Sequence, residues 1–353
     1  MNDAHPGQRD TLLKGDRVPN FSVPASDGKI LLFYEYAVGR PLVIGACAEG
    51  WDPARRRRYA DTVRTLAEAA NAQSLTLGGN GSLAPDGDGD HLVLPDAGAR
   101  LRSRLFADVM TDHDGVFAVT DTNLRLLDGC VTTAEDFDEG VPTPEMNAVL
   151  DEALVLLGED DGEAATVAPV LMIPRVLAEE LCELLCARFD EWRPVASPMP
   201  SGNGRALVPD PARKTRRDAT IDDPELEQEV IACIARRVLP EVAKAFHYRA
   251  TRFERPKLVA YSAENSGHFA AHRDNTAPDT AHRRFALTLN LNSGSYAGGE
   301  LQFPEYGCAR GYSPPAGGAI VFSCSHAHRV TPVTRGERFA LVSFMFGEED
   351  RSS

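Results

Sequence analysis

The chain has 353 residues, 43% hydrophobic and 25% charged, the composition of an ordinary soluble globular protein with length enough for two domains. Its formal charge of −15 is spread along the whole chain and disfavours nucleic acid and anionic membrane as partners. There is no apolar run long enough to span a bilayer and no basic segment leading into a signal-type apolar stretch. The seven cysteines lack the spacing of a metal or redox pair and read as reduced thiols in a bacterial-type cytoplasm.

In chain order, residues 1 to 10 are polar and expected to fray. The apolar run Pro41 to Ala46 suits a buried strand. Asp52 and Pro53 follow as an N-cap and a first helical position. The helix is expected to reach about Ala72, with Tyr59, Val63, Leu66 and Ala70 along one stripe. Ser74 to Gly78 reads as a second strand and "GNGSLAPDGDGD" as an exposed loop. Strand and helix signals continue to Val131, and a helix spans Pro144 to Gly158. Strands alternating with helices imply an α/β sheet.

The stretches "GDRVPNFSVPASDGK", "EGWDP" and "DHDGVFAVTDTNLRLLDG" resemble the thioredoxin-like peroxiredoxin family over residues 12 to 157. Members of that family place Thr, Pro and the peroxidatic Cys at the turn into the first helix. Here the turn reads Asp52, Pro53, Ala54, Arg55, so arginine occupies the nucleophile's position. Cys47 lies eight residues earlier inside the strand and reads as a small buried hydrophobe. The resemblance implies a thioredoxin-like domain over residues 1–160 that lacks the peroxidatic Cys and has a structural or docking role. Arg55 to Arg58 put four cations against the helix macrodipole. They form either a solvated face, an anion site or a contact with the acidic second domain.

"GEDDGEAATVAP", Gly158 to Pro169, is acidic and rich in small residues, which marks a boundary and places a second domain at 168–353. "VLMIPRVL" reads as a strand leading into a helix that starts near Pro174 and runs to about Phe189. Pro194 to Ala219 has no periodicity and reads as a long lid or substrate loop, or else as a disordered segment. A helix is expected from Asp223-Pro224 to about Phe246, with Leu226, Val230, Ile234 and Val238 repeating every four residues. Short strands follow at Arg252 to Tyr261, Arg283 to Asn292, Glu300 to Phe303, Ala319 to Phe322, His328 to Val330 and Arg338 to Phe346. That texture suggests a sandwich or jelly roll.

The chemistry concentrates in this last part. His272 and Asp274 are two apart in a segment that reads as extended, so both side chains leave one face. An imidazole and a carboxylate with a later imidazole make the ligand set of a non-haem Fe(II) oxygenase. His326 and His328 share a face, and both are candidates for the later imidazole.

The stretches "LVAYSAENSGHFAAHRDN", "RRFALTLNLNS", "YAGGELQFPEYG" and "YSPPAGGAIVFSCSHAHRVTPVTRGERFALVSFMF" resemble the 2-oxoglutarate and Fe(II)-dependent dioxygenase superfamily, in its prolyl-4-hydroxylase-like branch. The resemblance covers residues 250 to 346. It implies a double-stranded β-helix (jelly roll) with supporting helices, so that the whole chain is an α/β domain followed by an α+β one. It implies Fe(II) held by His272, Asp274 and His328. The family pattern continues from His328 through Val330, Pro332, Val333 and Gly336 to Arg338, which leaves His326 as a neighbour. Arg338 matches the basic residue for the cosubstrate's far carboxylate, and a guanidinium fork suits that task. Tyr261 matches a tyrosine that hydrogen-bonds the cosubstrate. Asn290 stands where the branch often has a second tyrosine.

Gly298 and Gly299 read as structural, Arg284 points either to substrate or to solvent, and His268, His282 and Cys308 have no assigned role. The implied activity is hydroxylation of a prolyl residue or related amino-acid side chain with 2-oxoglutarate and O2, releasing succinate and CO2, with ascorbate as reductant. The substrate is a peptide or a small molecule, and a homodimer is compatible with the sequence. The alternatives are a small-molecule oxygenase of a biosynthetic route and a non-catalytic redox or binding scaffold.

Overall fold

A computed structural model describes residues 12–19, 22–24, 30–33, 39–48, 50–79, 90–95, 114–133, 141–160, 167–200, 207–208, 210–211, 213–306 and 310–350. The expectations for residues 1–10, for most of the 79–90 loop, for the centre of the acidic linker and for Cys308 lie outside these residues. The chain forms two compact units, Met1–Thr166 together with Glu305–Gly307, and Val167–Pro304 together with Cys308–Ser353.

In the first unit β1 (Ser22–Pro24) pairs antiparallel with β2 (Ile30–Leu32). A five-stranded mixed sheet follows. Its members are β3 (Leu42–Ala46), β4 (Gln73–Gly79), β5 (His91–Pro95), β6 (Gly115–Thr120) and β7 (Leu126–Thr132), in the order β5-β4-β3-β6-β7. Leu42, Ile44 and Ala46 pack with Leu75, Leu77 and Val116 on one face, while Val43 packs with Tyr59, Val63, Met146 and Leu150 on the other. A strand buried on both faces must be apolar throughout, hence the unbroken run in β3.

Helices α1 (Pro53–Ala69) and α2 (Pro144–Asp160) supply that second face. Asp52 caps α1, its carboxylate accepting the Ala54 and Arg55 backbone N–H groups at 2.9 Å. The helix ends three residues before the expected stop. Cys47 is buried among the apolar residues facing the helices. Burial pushes the Cys130 thiol up to about 12.

The second unit opens with β8 (Leu171–Ile173) and α3 (Glu179–Ala187). The helix begins five residues after Pro174 rather than at it, because Arg175 takes a left-handed conformation in between. The 194–219 segment, expected as an aperiodic loop, has short paired strands among its described residues. It contains β9 (Val195–Ala196), β10 (Met199–Pro200), β11 (Leu207–Val208), β12 (Lys214–Thr215) and β13 (Arg217–Thr220). Two-residue strands are too short to show alternation, so sequence periodicity cannot reveal them.

The long helix expected after Pro224 is two helices, α4 (Pro224–Arg237) and α5 (Leu239–Phe246). Pro240 breaks it, having no N–H to donate and a ring that clashes with the carbonyl one turn back.

Next come β14 (Arg252–Phe253) and β15 (Lys257–Ser262), which Pro256 separates, then β16 (His268–His272), β17 (Phe285–Asn290), β18 (Ala297–Gly298), β19 (Leu301–Gln302), β20 (Ala319–Ser323), β21 (His328–Val330), β22 (Val333–Arg335) and β23 (Glu337–Phe346). A large sheet runs β8-β20-β17-β23-β15-β13-β9, with β14 also on β23, and a smaller one runs β12-β16-β21-β19. One face of the large sheet, through Leu258, Ala260, Leu287, Leu289, Val321 and Leu341, packs on the helices through Leu185, Leu226, Val230, Ile234 and Val242. The other face and the small sheet line a common cavity. Consecutive β12 and β13 belong to different sheets, so one short piece of chain closes the side of that cavity.

Gly298 sits at φ +74° where a Cβ would lie 2.2 Å from the Pro332 carbonyl oxygen. Gly298→Ala should therefore lower the urea unfolding free energy by about 1–3 kcal/mol, and an unchanged midpoint would contradict this packing.

Candidate metal centre

β16 and β21 are antiparallel neighbours, with His272 directly opposite His328. Opposed residues of an antiparallel pair leave the same face, and the two rings stand 4.3 Å apart between centroids. A bulge between Phe269 and His272 keeps both of those side chains on the cavity side, their rings stacked at 3.6 Å. Asp274 is past the strand end, not on it as the extended reading implied. Its backbone N–H donates to the Cys324 carbonyl at 3.0 Å, and that turn aims the carboxylate back at both rings. One carboxylate oxygen lies 3.4 Å from His272 Nε2 and the other 3.4 Å from His328 Nε2. The three ligand atoms are all within 4.8 Å of one another.

The tautomers follow from the hydrogen bonds. His272 Nδ1 lies 2.9 Å from the Ala270 carbonyl and His328 Nδ1 3.1 Å from the His326 carbonyl. A carbonyl only accepts, so each Nδ1 carries the proton and each Nε2 turns a lone pair inward. Backbone acceptors of this kind orient metal-binding imidazoles. His326 thus contributes its carbonyl to the arrangement, and among the described residues the cluster contains His328 rather than His326. Burial holds His328 below the usual imidazole range, which keeps it neutral and able to ligate. For Asp274 burial opposes ionisation, but His328 and His272 when protonated, together with Arg283, outweigh it and hold the carboxyl below its ordinary value. A carboxylate and two imidazoles, with open space on one side, fit a divalent iron.

Arg338 and Tyr261 face each other across β23 and β15 and line the same cavity. Arg338 is 2% exposed. Its Nη2 donates to Asn290 Oδ1 at 2.8 Å, its Cζ lies 5.4 Å from the Tyr261 ring, and its Nε has no partner. No carboxylate pairs with it among the described ion pairs. Gly299 makes room for it, since a Cβ there would sit 2.9 Å from Arg338 Cδ. Asn290 lies behind Arg338, with its amide nitrogen turned to Tyr296, Ser293, Ser313 and the Pro314 carbonyl, and it is not among the cavity-lining residues. Arg284 pairs with Asp350 and His282 with Glu254.

Two cavity residues went unseen in the sequence because their segment read as a loop. Arg216 grips Asp218 at 2.8 and 3.2 Å and donates to the Tyr261 hydroxyl at 3.1 Å. Lys214 is buried on β12. Arg-Lys-Thr-Arg-Arg-Asp at 213–218 is charged at almost every position, so no periodicity marked them. The cavity measures about 410 Å³ and is lined by the three cluster residues, by Arg338, Tyr261 and Arg216, and by an aromatic wall that includes Phe269 and Phe322.

Residues 256–346 match the family model described as the 2OG-Fe(II) oxygenase superfamily. A PKHD-type hydroxylase of Hyphomonas neptunium is 24% identical over 186 residues, which are 50% of this chain and 77% of that protein. A PKHD-type hydroxylase of a Synechococcus species is 31% identical over 132 residues, so this chain spans only 54% of that relative's length. The crystal structure of a Pseudomonas putida prolyl-4-hydroxylase is similar over 52% of this chain and 94% of its own, at 21% identity and a TM-score of 0.41.

Replacing Asp274 or His328 by Ala should cut Mn(II) or Fe(II) affinity by more than the roughly 10–100-fold usual for second-sphere changes, as read by anaerobic titration. Because His328 is lowered to about 4 in the folded chain, the unfolded chain takes up the extra proton first. The metal-free protein should therefore lose stability as pH falls from about 6.5 towards 4. Urea midpoints measured across that window should fall less steeply in His328→Asn.

Proposed function

We propose that the C-terminal 2OG-Fe(II) oxygenase domain hydroxylates a prolyl residue or a related amino-acid side chain of a peptide. The domain makes the chain an oxidoreductase that uses Fe(II), 2-oxoglutarate and O2. One observation carries the reading. Three inward-facing ligand atoms and a buried arginine without a carboxylate partner line one cavity.

Within it His272, Asp274 and His328 would hold the metal. Bound there with 2-oxoglutarate and O2, the metal supplies the oxidation, in which the substrate gains a hydroxyl and the cosubstrate leaves as succinate and CO2. The residues of the chain supply position and exclusion of water. Arg338, already oriented by Asn290, would take the cosubstrate's far carboxylate on its unused N–H groups. Tyr261 accepts from Arg216, a pure donor, so its own hydroxyl proton is directed elsewhere and suits a carboxylate oxygen. Phe269 and Phe322 flank the two imidazoles and keep solvent from them. Ascorbate serves as the external reductant.

For the N-terminal unit the proposal is a thioredoxin-like, peroxiredoxin-like domain without a peroxidatic Cys. The sheet order around β3, the Asp52-Pro53 start of α1 and Arg55 at the nucleophile's place support it. Its role is then docking or structural. The free thiols among the described cysteines fit a reducing, cytoplasmic setting.

Succinate formation with Fe(II), 2-oxoglutarate and ascorbate, together with mass spectrometry for a one-oxygen gain on proline-containing peptides, tests the activity. No succinate and no iron binding would favour the scaffold reading. Oxygen gain only on free small molecules would favour the biosynthetic one. Losing one partner of a buried charged pair typically costs about 2–5 kcal/mol. Arg338→Ala should therefore raise the KM for 2-oxoglutarate roughly thirty-fold or more, and an unchanged KM would remove Arg338 from the site.

A further inference from the structure

Lys214 lies opposite Phe269 in the β12–β16 pairing, so it faces the cavity on the same side as Phe269. Phe269 in turn stacks on the metal-cluster residue His272. The lysine is 8% exposed. Its ammonium donates to the Pro198 carbonyl at 2.9 Å and rests 5.0 Å from the Phe269 ring centroid. That is one of three donors; two remain. No ion pair among the described residues includes it. The charges around it are Arg216, Lys257 and Arg213, with Asp218 the one anion named among them. Asp218 is already engaged by Arg216 and by the Ser197 hydroxyl. Burial and these cations push the Lys214 amine down to about 8.

A buried cation that makes no ion pair is costly, and among the described residues lining this cavity Arg338 and Lys214 are such cations. Arg338, on the large sheet, is accounted for by the cosubstrate's far carboxylate. Lys214, on the small sheet, makes no ion pair among the described residues, because Asp218 is held by Arg216 and Ser197. A single ammonium with one hydrogen bond among the described residues has donors left for a carboxylate.

We propose that Lys214 is a carboxylate subsite for the substrate, which makes the preferred substrate an acidic one, carrying a Glu- or Asp-type carboxylate close to the carbon that is oxidised. This rests on the oxygenase reading above.

The test uses the full chain loaded anaerobically with Mn(II) and saturating 2-oxoglutarate. The probes are acetyl-Glu-Pro-Glu-amide, its Gln-for-Glu analogue and free N-acetylglutamate, with binding read by Mn(II)-induced broadening of the probe's proton resonances. The acidic peptide should bind about tenfold more tightly than its neutral analogue. Lys214→Met should erase that preference and Lys214→Arg retain it, with 2-oxoglutarate titrating normally in both. N-acetylglutamate binding as tightly as the acidic peptide would support the subsite and assign it to a small acid. Equal affinity for the two peptides, or a preference that survives in Lys214→Met, would overturn the proposal. So would binding of neither peptide while 2-oxoglutarate still binds, and the oxygenase reading would then stand. Failure of 2-oxoglutarate itself to bind would remove both.

Discussion

The candidate site depends on one cross-strand register. His272 and His328 are neighbours because β16 and β21 pair with these two residues opposite each other, and the bulge after Phe269 absorbs the residue that would otherwise misalign them. A slip of one position would turn an imidazole to the other face. The turn beyond β16, tied to the Cys324 carbonyl, then delivers Asp274. No loop has to find its place by chance, since two ligands ride on paired strands and the third on a hydrogen-bonded turn.

The second organising feature is unpaired positive charge inside an acidic protein. Several arginines of the second unit are matched to carboxylates, such as Arg188 with Asp223 and Arg255 with Glu227. Arg338 and Lys214, both buried and both lining the cavity, are not. With a formal charge of −15, the field of the whole chain does not favour anions. Any anion the cavity takes would be drawn by these local cations in a low-dielectric setting, where such interactions are strongest. Arg216, also lining the cavity, is paired to Asp218 and holds the Tyr261 hydroxyl.

The first unit has a different chemical character. Its central strand is buried on both faces, and its one strand-end cysteine packs among apolar residues beside α1. Where a nucleophile would need a lowered pKa, the thiol of Cys130 is raised by burial and the turn into α1 offers Arg55.

The residues alone gave the chemical types and their spacing: His272 with Asp274, His328 with Arg338 ten residues on, and strands wherever five or more residues alternate or run apolar. The cap at Asp52 and the α4 stripe were legible for the same reason, because their partners lie within a few residues. What folding decided was everything whose partner is distant in sequence. The two-residue strands of the 194–219 segment carry no periodicity, so Lys214 and Arg216 became cavity residues only when β12 paired with β16 and β13 with β15. Asn290 moved from facing a ligand to bracing Arg338 because three strands meet there. Local sequence sets propensity and spacing, whereas which side chains share a cavity is fixed by long-range pairing, and only the folded chain supplies that.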